Sequence, residues 1–85
     1  MKNEIKEILT ESEREYLSNI IKPFRDRVIS FCKINYDDCV KLTFDVYFVG
    51  SKYKADHCSL PKFDKKTMFT GMKPYKDYTL EELGL

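Results

Sequence analysis

The chain has 85 residues, 42% hydrophobic and 14% aromatic, which is enough for one hydrophobic core and predicts a single domain over residues 1–85. Only three glycines and three prolines are present, so the composition excludes a low-complexity or disordered chain. The net charge of +1 conceals an uneven distribution, since residues 22–76 carry twelve basic and six acidic side chains while both ends are acidic.

The sequence predicts a cytoplasmic protein. No stretch approaches the roughly 20 apolar residues that a membrane span requires. The N-terminal residues lack the apolar segment of a signal peptide. The three cysteines are an odd number, which fits free thiols in a reducing compartment better than structural disulfides.

The first predicted element is a long helix over residues 11–34. Thr10 and Glu13 have the spacing of a capping box, which marks its start. Apolar residues then recur every three or four positions and form one stripe. Those residues are Leu17, Ile20, Ile21, Phe24, Val28 and Phe31.

Pro23 falls inside this stripe, where it removes a backbone hydrogen bond and clashes with the carbonyl of Asn19. We therefore predict a kink near Asn19–Pro23, with a helix stop and restart at Pro23 as the alternative. Residues 28–34 would also suit a strand, because they are rich in β-branched and aromatic side chains. Ile5, Ile8 and Leu9 have helical spacing and suggest an extra turn over residues 2–8.

After a turn at residues 35–38 the hydrophobic period changes to two, which predicts a half-buried strand. Its apolar face contains Val40, Leu42, Phe44, Val46 and Phe48. A polar loop over residues 50–56 leads to a short partner strand, His57 to Leu60, and Pro61 ends it. The two segments form an antiparallel hairpin in a sheet of two or three strands.

The C-terminal residues predict a short docked helix. Thr79 and Glu82 repeat the capping box, and Gly84 suits a helix stop. A single turn is unstable alone in water, so Leu80, Leu83 and Leu85 are expected to dock on the core. The predicted fold class is α+β, with a long kinked N-terminal helix, an antiparallel sheet and this short helix.

The residues do not form a recognisable catalytic or metal site. His57 is the only histidine, and Cys58 beside it points to the opposite face of a strand. Zinc binding by Cys32, Cys39, His57 and Cys58 would need a spacing that matches no known ligand pattern. We expect neither enzymatic activity nor a cofactor.

The basic middle contains the candidate partner-binding residues. On the predicted helix Lys22 can pair with Asp26 on a solvated face. Lysine and tyrosine also interleave at Lys52–Lys54 and again at residues 73–76, a pattern that suits phosphate contacts and base stacking, or a protein interface. The predicted partner-binding residues are Lys22, Arg25, Arg27, Lys52, Tyr53 and Lys54.

Three segments, about a third of the chain, have a distinctive wording: Glu13–Val28 (EREYLSNIIKPFRDRV), Thr67–Met72 (TMFTGM) and Tyr78–Leu85 (YTLEELGL). Together they resemble a family of short phage and prophage proteins from low-GC Gram-positive bacteria. None is a catalytic motif, so the resemblance identifies a scaffold and a phage context.

This context implies a non-catalytic inhibitor of a host defence protein, such as an RNA-guided nuclease, of the kind known as anti-CRISPR proteins. The charge is too balanced for simple DNA mimicry. One alternative is a nucleic-acid-binding accessory protein, although dedicated binders are usually more basic. The other is an oligomeric sponge for a small nucleotide signal.

Overall fold

A computed structural model describes residues 8–85 of the protein. Within them, the helices and strands follow one another in the order α1 (Glu11–Ile20), a 3-10 helix (Lys22–Phe24), β1 (Val28–Asn35), β2 (Cys39–Tyr47), β3 (Lys54–Asp64), β4 (Asp77–Thr79) and α2 (Leu80–Leu83). The extra turn expected over residues 2–8 lies outside this part of the chain, apart from Ile8.

The strands form one antiparallel sheet in the order β3-β2-β1-β4. The α+β class and the antiparallel hairpin are therefore confirmed. The sheet in the described residues has four strands rather than two or three, and β3 is longer than the predicted partner strand. The added strands are β1, which was expected to be helical, and the short β4.

The prediction of one kinked helix over residues 11–34 is wrong. α1 ends at Ile20, and Pro23 lies in the separate 3-10 helix that follows. Proline cannot donate to the carbonyl of Asn19, and its ring would clash with that carbonyl, so the α-helix stops before it. The chain then turns and enters β1. The β-branched and aromatic side chains of residues 28–34 suit such a strand.

β1 is a strand because both of its edges are paired. Phe31 lies opposite Phe44 of β2 on one side and opposite Tyr78 of β4 on the other. Such partners lie far away in sequence, so the helical spacing of residues 20–31 could not reveal them. In the folded chain every second side chain of β1 is buried, beginning with Ile29 and Phe31, as in a strand with one face on the core.

One face of the sheet packs against the helices and against the segment 65–76, and the buried side chains form one cluster. The 3-10 helix reaches this cluster through Phe24, whose ring lies 6.0 Å from that of Phe44. The buried core consists of Leu9, Leu17, Ile21, Ile29, Phe31, Leu42, Phe44, Val46, Leu60, Phe69, Met72, Tyr78 and Leu83. The opposite face of the sheet carries mostly polar side chains.

The local predictions about the helix ends are confirmed. Thr10 with Glu13 and Thr79 with Glu82 both form complete capping boxes, and Gly84 ends α2 in the left-handed conformation. Leu83 is buried, while Leu80 and Leu85 pack partly buried against the core. The C-terminal residues therefore close one side of the core, as expected for a helix too short to be stable alone.

A buried polar network fixes the segment 65–76. The Glu13 carboxylate accepts hydrogen bonds from the amides of Thr10 (3.0 Å) and Phe69 (2.7 Å). Lys33 occupies a core-facing position of β1, and its ammonium group donates to the carbonyls of Phe69 (2.8 Å) and Met72 (3.1 Å). Burial lowers the pKa of Lys33, while the negative charge of Glu13 opposes this effect.

Candidate functional site

Four exposed apolar side chains lie at the end of the sheet where β1 begins and the β2–β3 loop turns. Their exposed fractions are 49% for Val28, 51% for Phe48, 75% for Val49 and 83% for Tyr53. Val28 and Tyr47 are register partners, which places the start of β1 beside the residues that lead into the loop. We call these four residues the tip surface.

The β2–β3 loop is held by its own hydrogen bonds. The amide of Ser51 donates to the carbonyl of Phe48 (3.0 Å), and the Ser51 hydroxyl accepts from the amide of Tyr53 (3.0 Å). Gly50 has a φ of +79°, a conformation that side-chain-bearing residues rarely adopt. The apolar side chains are therefore presented from a defined turn.

Arg27 covers one side of the tip surface. Its guanidinium lies 4.6 Å from the centre of the Phe48 ring, within the range of a cation–π interaction. The same group forms an ion pair with Asp26 at 2.6 Å. The ion pair that Lys22 could form with Asp26 on one continuous helix does not occur among the described residues, where the α-helix ends at Ile20.

Asp45 joins β2 to β3 beneath the tip surface. Its Oδ1 lies 2.5 Å from Nδ1 of His57 and 3.4 Å from Nζ of Lys54. Partial burial raises the pKa of Asp45, but hydrogen bonds from His57 and Lys54 and their positive charges outweigh this and hold the pKa below its ordinary value. The ionised Asp45 carboxylate therefore links His57 and Lys54 of β3 to the neighbouring strand β2.

This pairing predicts a contribution to stability that acid removes. The folded-state pKa of Asp45 is depressed, so its contribution is complete above the ordinary aspartate pKa and is lost as the pH falls through the lower folded value. For this partly exposed cluster we expect at most about 1 kcal/mol. Urea unfolding should show Asp45→Asn less stable than wild type near pH 6 and converging with it near pH 2, whereas Asp37→Asn, in an exposed turn, should show no such convergence.

The predicted partner-binding residues are distributed over two places. Arg27, Lys52, Tyr53 and Lys54 lie at the tip end of the sheet, where Lys54 pairs with Asp45 and Lys52 is exposed. Lys22 and Arg25 belong to the 3-10 helix and the turn after it. Arg25 lines a small groove beside Ile21, Leu80 and Leu85, next to the C-terminal helix.

The second lysine–tyrosine segment lies at the other end of the sheet. The amide of Tyr75 donates to the carbonyl of Lys33, and its hydroxyl donates to the carbonyl of Asn35, where β1 ends. Lys76 pairs with Glu82 at 3.7 Å. β1 has eight residues, so roughly 25 Å separates this end from the tip surface. The two segments do not form one continuous basic surface.

The residues considered for zinc binding do not converge. His57 faces Asp45, whereas Cys58 packs partly against the core. Residues 8–85 contain no group of three or more potential metal-binding side chains. Burial raises the pKa of the thiols of Cys32, Cys39 and Cys58, which favours their protonated, weakly nucleophilic form.

Three residues of the tip surface, Val28, Phe48 and Val49, were not among the predicted binding residues. Val28 had been assigned to the helix stripe, and Phe48 to the buried face of the strand. Phe48 instead follows the last residue of β2, so the alternating pattern no longer determines its burial. The adjacent pair Phe48–Val49, directly before a glycine, was the signal that could have identified an exposed apolar turn.

No protein-family model, curated protein or solved structure matches this chain. None of the helices in the described residues has the length and apolar composition needed to cross a membrane.

Proposed function

We propose that this protein is a non-catalytic binding protein that inhibits a host defence protein, with an RNA-guided nuclease as the first candidate. The observation that carries the proposal is the tip surface, which combines three exposed apolar side chains of the β2–β3 turn with the exposed Val28 at the start of β1. Exposed apolar side chains gathered at one end of a domain are typical of protein interaction sites. The resemblance of three segments to phage proteins supports a target in host defence.

Aromatic residues beside arginine are the usual energetic centres of protein interfaces. Phe48 and Tyr53 are therefore the expected anchors, and Arg27 is already held against the Phe48 ring. The nucleic-acid alternative is less well supported, because the basic side chains at the tip are few and two of them already pair with aspartates. A phosphate-binding surface requires several free cations along one path.

The proposal predicts that the chain restores phage growth on a protected host. The experiment expresses it in a low-GC Gram-positive strain carrying an active RNA-guided defence system and counts plaques of a targeted phage. Plaque formation should recover with the wild-type chain, and a phage without a target sequence serves as the control. No recovery across strains with different defence systems would contradict the proposed inhibition.

The double variant Phe48→Ser, Tyr53→Ser should lose this effect while remaining folded. Two lost aromatic anchors, each worth about 2 kcal/mol, weaken binding by roughly 1,000-fold. Both side chains are exposed, so the thermal unfolding midpoint should stay close to that of wild type. The control Tyr36→Ser changes a half-exposed tyrosine at the other end of the sheet and should retain full inhibition.

A further inference from the structure

The strand β3 forms one edge of the sheet within residues 8–85. It has 11 residues, pairs only with β2, and most of its side chains are exposed. Alternate backbone amides and carbonyls of such a strand face outward, where they can bind the edge strand of another chain. An edge of this length is expected to pair unless other features of the strand prevent it.

The Asp56 side chain blocks the first half of this edge. Its carboxylate accepts a hydrogen bond from the His57 amide at 2.9 Å, so this amide is already bound within its own strand. Asp56 is also exposed, and its charge lies beside the backbone groups that a second strand would approach. Pairing would have to break this hydrogen bond and remove water from the carboxylate, which is unfavourable.

Pro61 blocks the second half of the edge. At a register shift, Leu60 and Pro61 of β3 together lie opposite Leu42 of β2. A β-bulge bends the strand that contains it, and a proline has no amide hydrogen to donate to a neighbour. A straight strand therefore cannot pair with β3 along its whole length.

Tyr75 closes the opposite edge of the sheet. β4 covers β1 only from Ser30 to Cys32. Beyond it, the Tyr75 amide donates to the carbonyl of Lys33 (2.8 Å), and the Tyr75 hydroxyl donates to the carbonyl of Asn35 (3.1 Å). Tyr75 has a φ of +60°, which is unfavourable for a residue with a side chain, and these two hydrogen bonds offset that cost. β3 is therefore the edge on which pairing depends.

We propose that Asp56 and Pro61 prevent β3 from pairing with β3 of a second copy of this chain. A second copy is the relevant partner because pairing between backbones needs no complementary side chains, and each copy presents the same edge. The inference concerns a surface separate from the one in the proposed function. It explains why an exposed strand of 11 residues contains a proline and a carboxylate bound to its own backbone.

The test compares the wild-type chain with a variant that combines Asp56→Ala and deletion of Pro61. The substitution frees the His57 amide, and the deletion removes the extra residue at the register shift. Analytical ultracentrifugation should show a wild-type monomer and self-association of the variant that is about tenfold tighter or more. As the variant concentration rises, hydrogen exchange at the amides of His57 and Ser59 should slow about tenfold.

The control is Asp77→Ala, which removes an exposed carboxylate from β4 and should leave the chain monomeric. If circular dichroism shows that the deletion unfolds the domain, Asp56→Ala alone decides the question, and its self-association should tighten about threefold. Folded variants that stay monomeric would overturn the inference. So would equal association of Asp77→Ala, slowed exchange confined to amides outside β3, or slowed exchange of the β3 amides with rising concentration in the wild type.

Discussion

Phe69→Ala is expected to destabilise the domain by about 3–5 kcal/mol, the range for removing a fully buried phenylalanine. Phe69 is completely buried, and its ring packs edge-to-face against Phe63 with the ring centres 5.0 Å apart. Stabilities of small domains are about 5–15 kcal/mol, so this loss is a large part of the total. Urea unfolding followed by circular dichroism measures it directly.

The matched control is Phe48→Ala, which removes the same side chain from an exposed position. It should lower the free energy of unfolding by only about 1 kcal/mol, mainly through the lost contact with Arg27. Similar losses for the two variants would mean that segment 65–76 does not pack on the core in the manner described.

Glu13→Ala is expected to cost about 2–4 kcal/mol. The substitution leaves the buried amide of Phe69 without an acceptor, which costs about 1–3 kcal/mol, and removes the cap from the more exposed amide of Thr10, which costs about 1 kcal/mol. It also removes the negative charge that partly compensates for the burial of Lys33. The free energy of unfolding should therefore fall well below that of Glu15→Ala, an exposed position on the same helix.

Glu13 and Phe69 act on the same segment, so their effects should not add. Once Glu13→Ala has loosened segment 65–76, Phe69→Ala has less packing to lose, and a double-mutant cycle should give a coupling of about 0.5–3 kcal/mol. A coupling of zero would indicate that the Glu13 carboxylate caps α1 without holding the segment.

The sequence predicted the features that depend on near neighbours. Both capping boxes lie within four residues, and the alternation in β2 identified a strand with one buried face. β1 could not be recognised in this way, because its partners β2 and β4 are distant in the chain and the apolar residues around Pro23 continued the helical spacing by coincidence. Val28 and Phe31 fit the helical spacing, and Ile29 and Phe31 fit the alternation of a strand, so the local pattern alone does not decide between helix and strand.

The buried polar network was missed for a related reason. Lys33 and Glu13 resemble ordinary surface residues in the sequence, and only the packing of segment 65–76 supplies the backbone groups that they bind. Of the candidate site, the sequence identified Tyr53 and its flanking lysines. Val28, Phe48 and Val49 were missed because their exposure depends on where β1 begins and where β2 ends.

The exposed tip surface, where we propose that a partner binds, is separate from the buried residues that stabilise the fold. Val49, Lys52 and Tyr53 contribute nothing to the buried cluster, so selection can alter them at little cost in stability, provided that Gly50 keeps its left-handed conformation. A library randomised at these three positions should therefore consist mostly of folded members with different binding preferences. The same freedom would let a chain of this kind follow a changing target through substitutions in one turn.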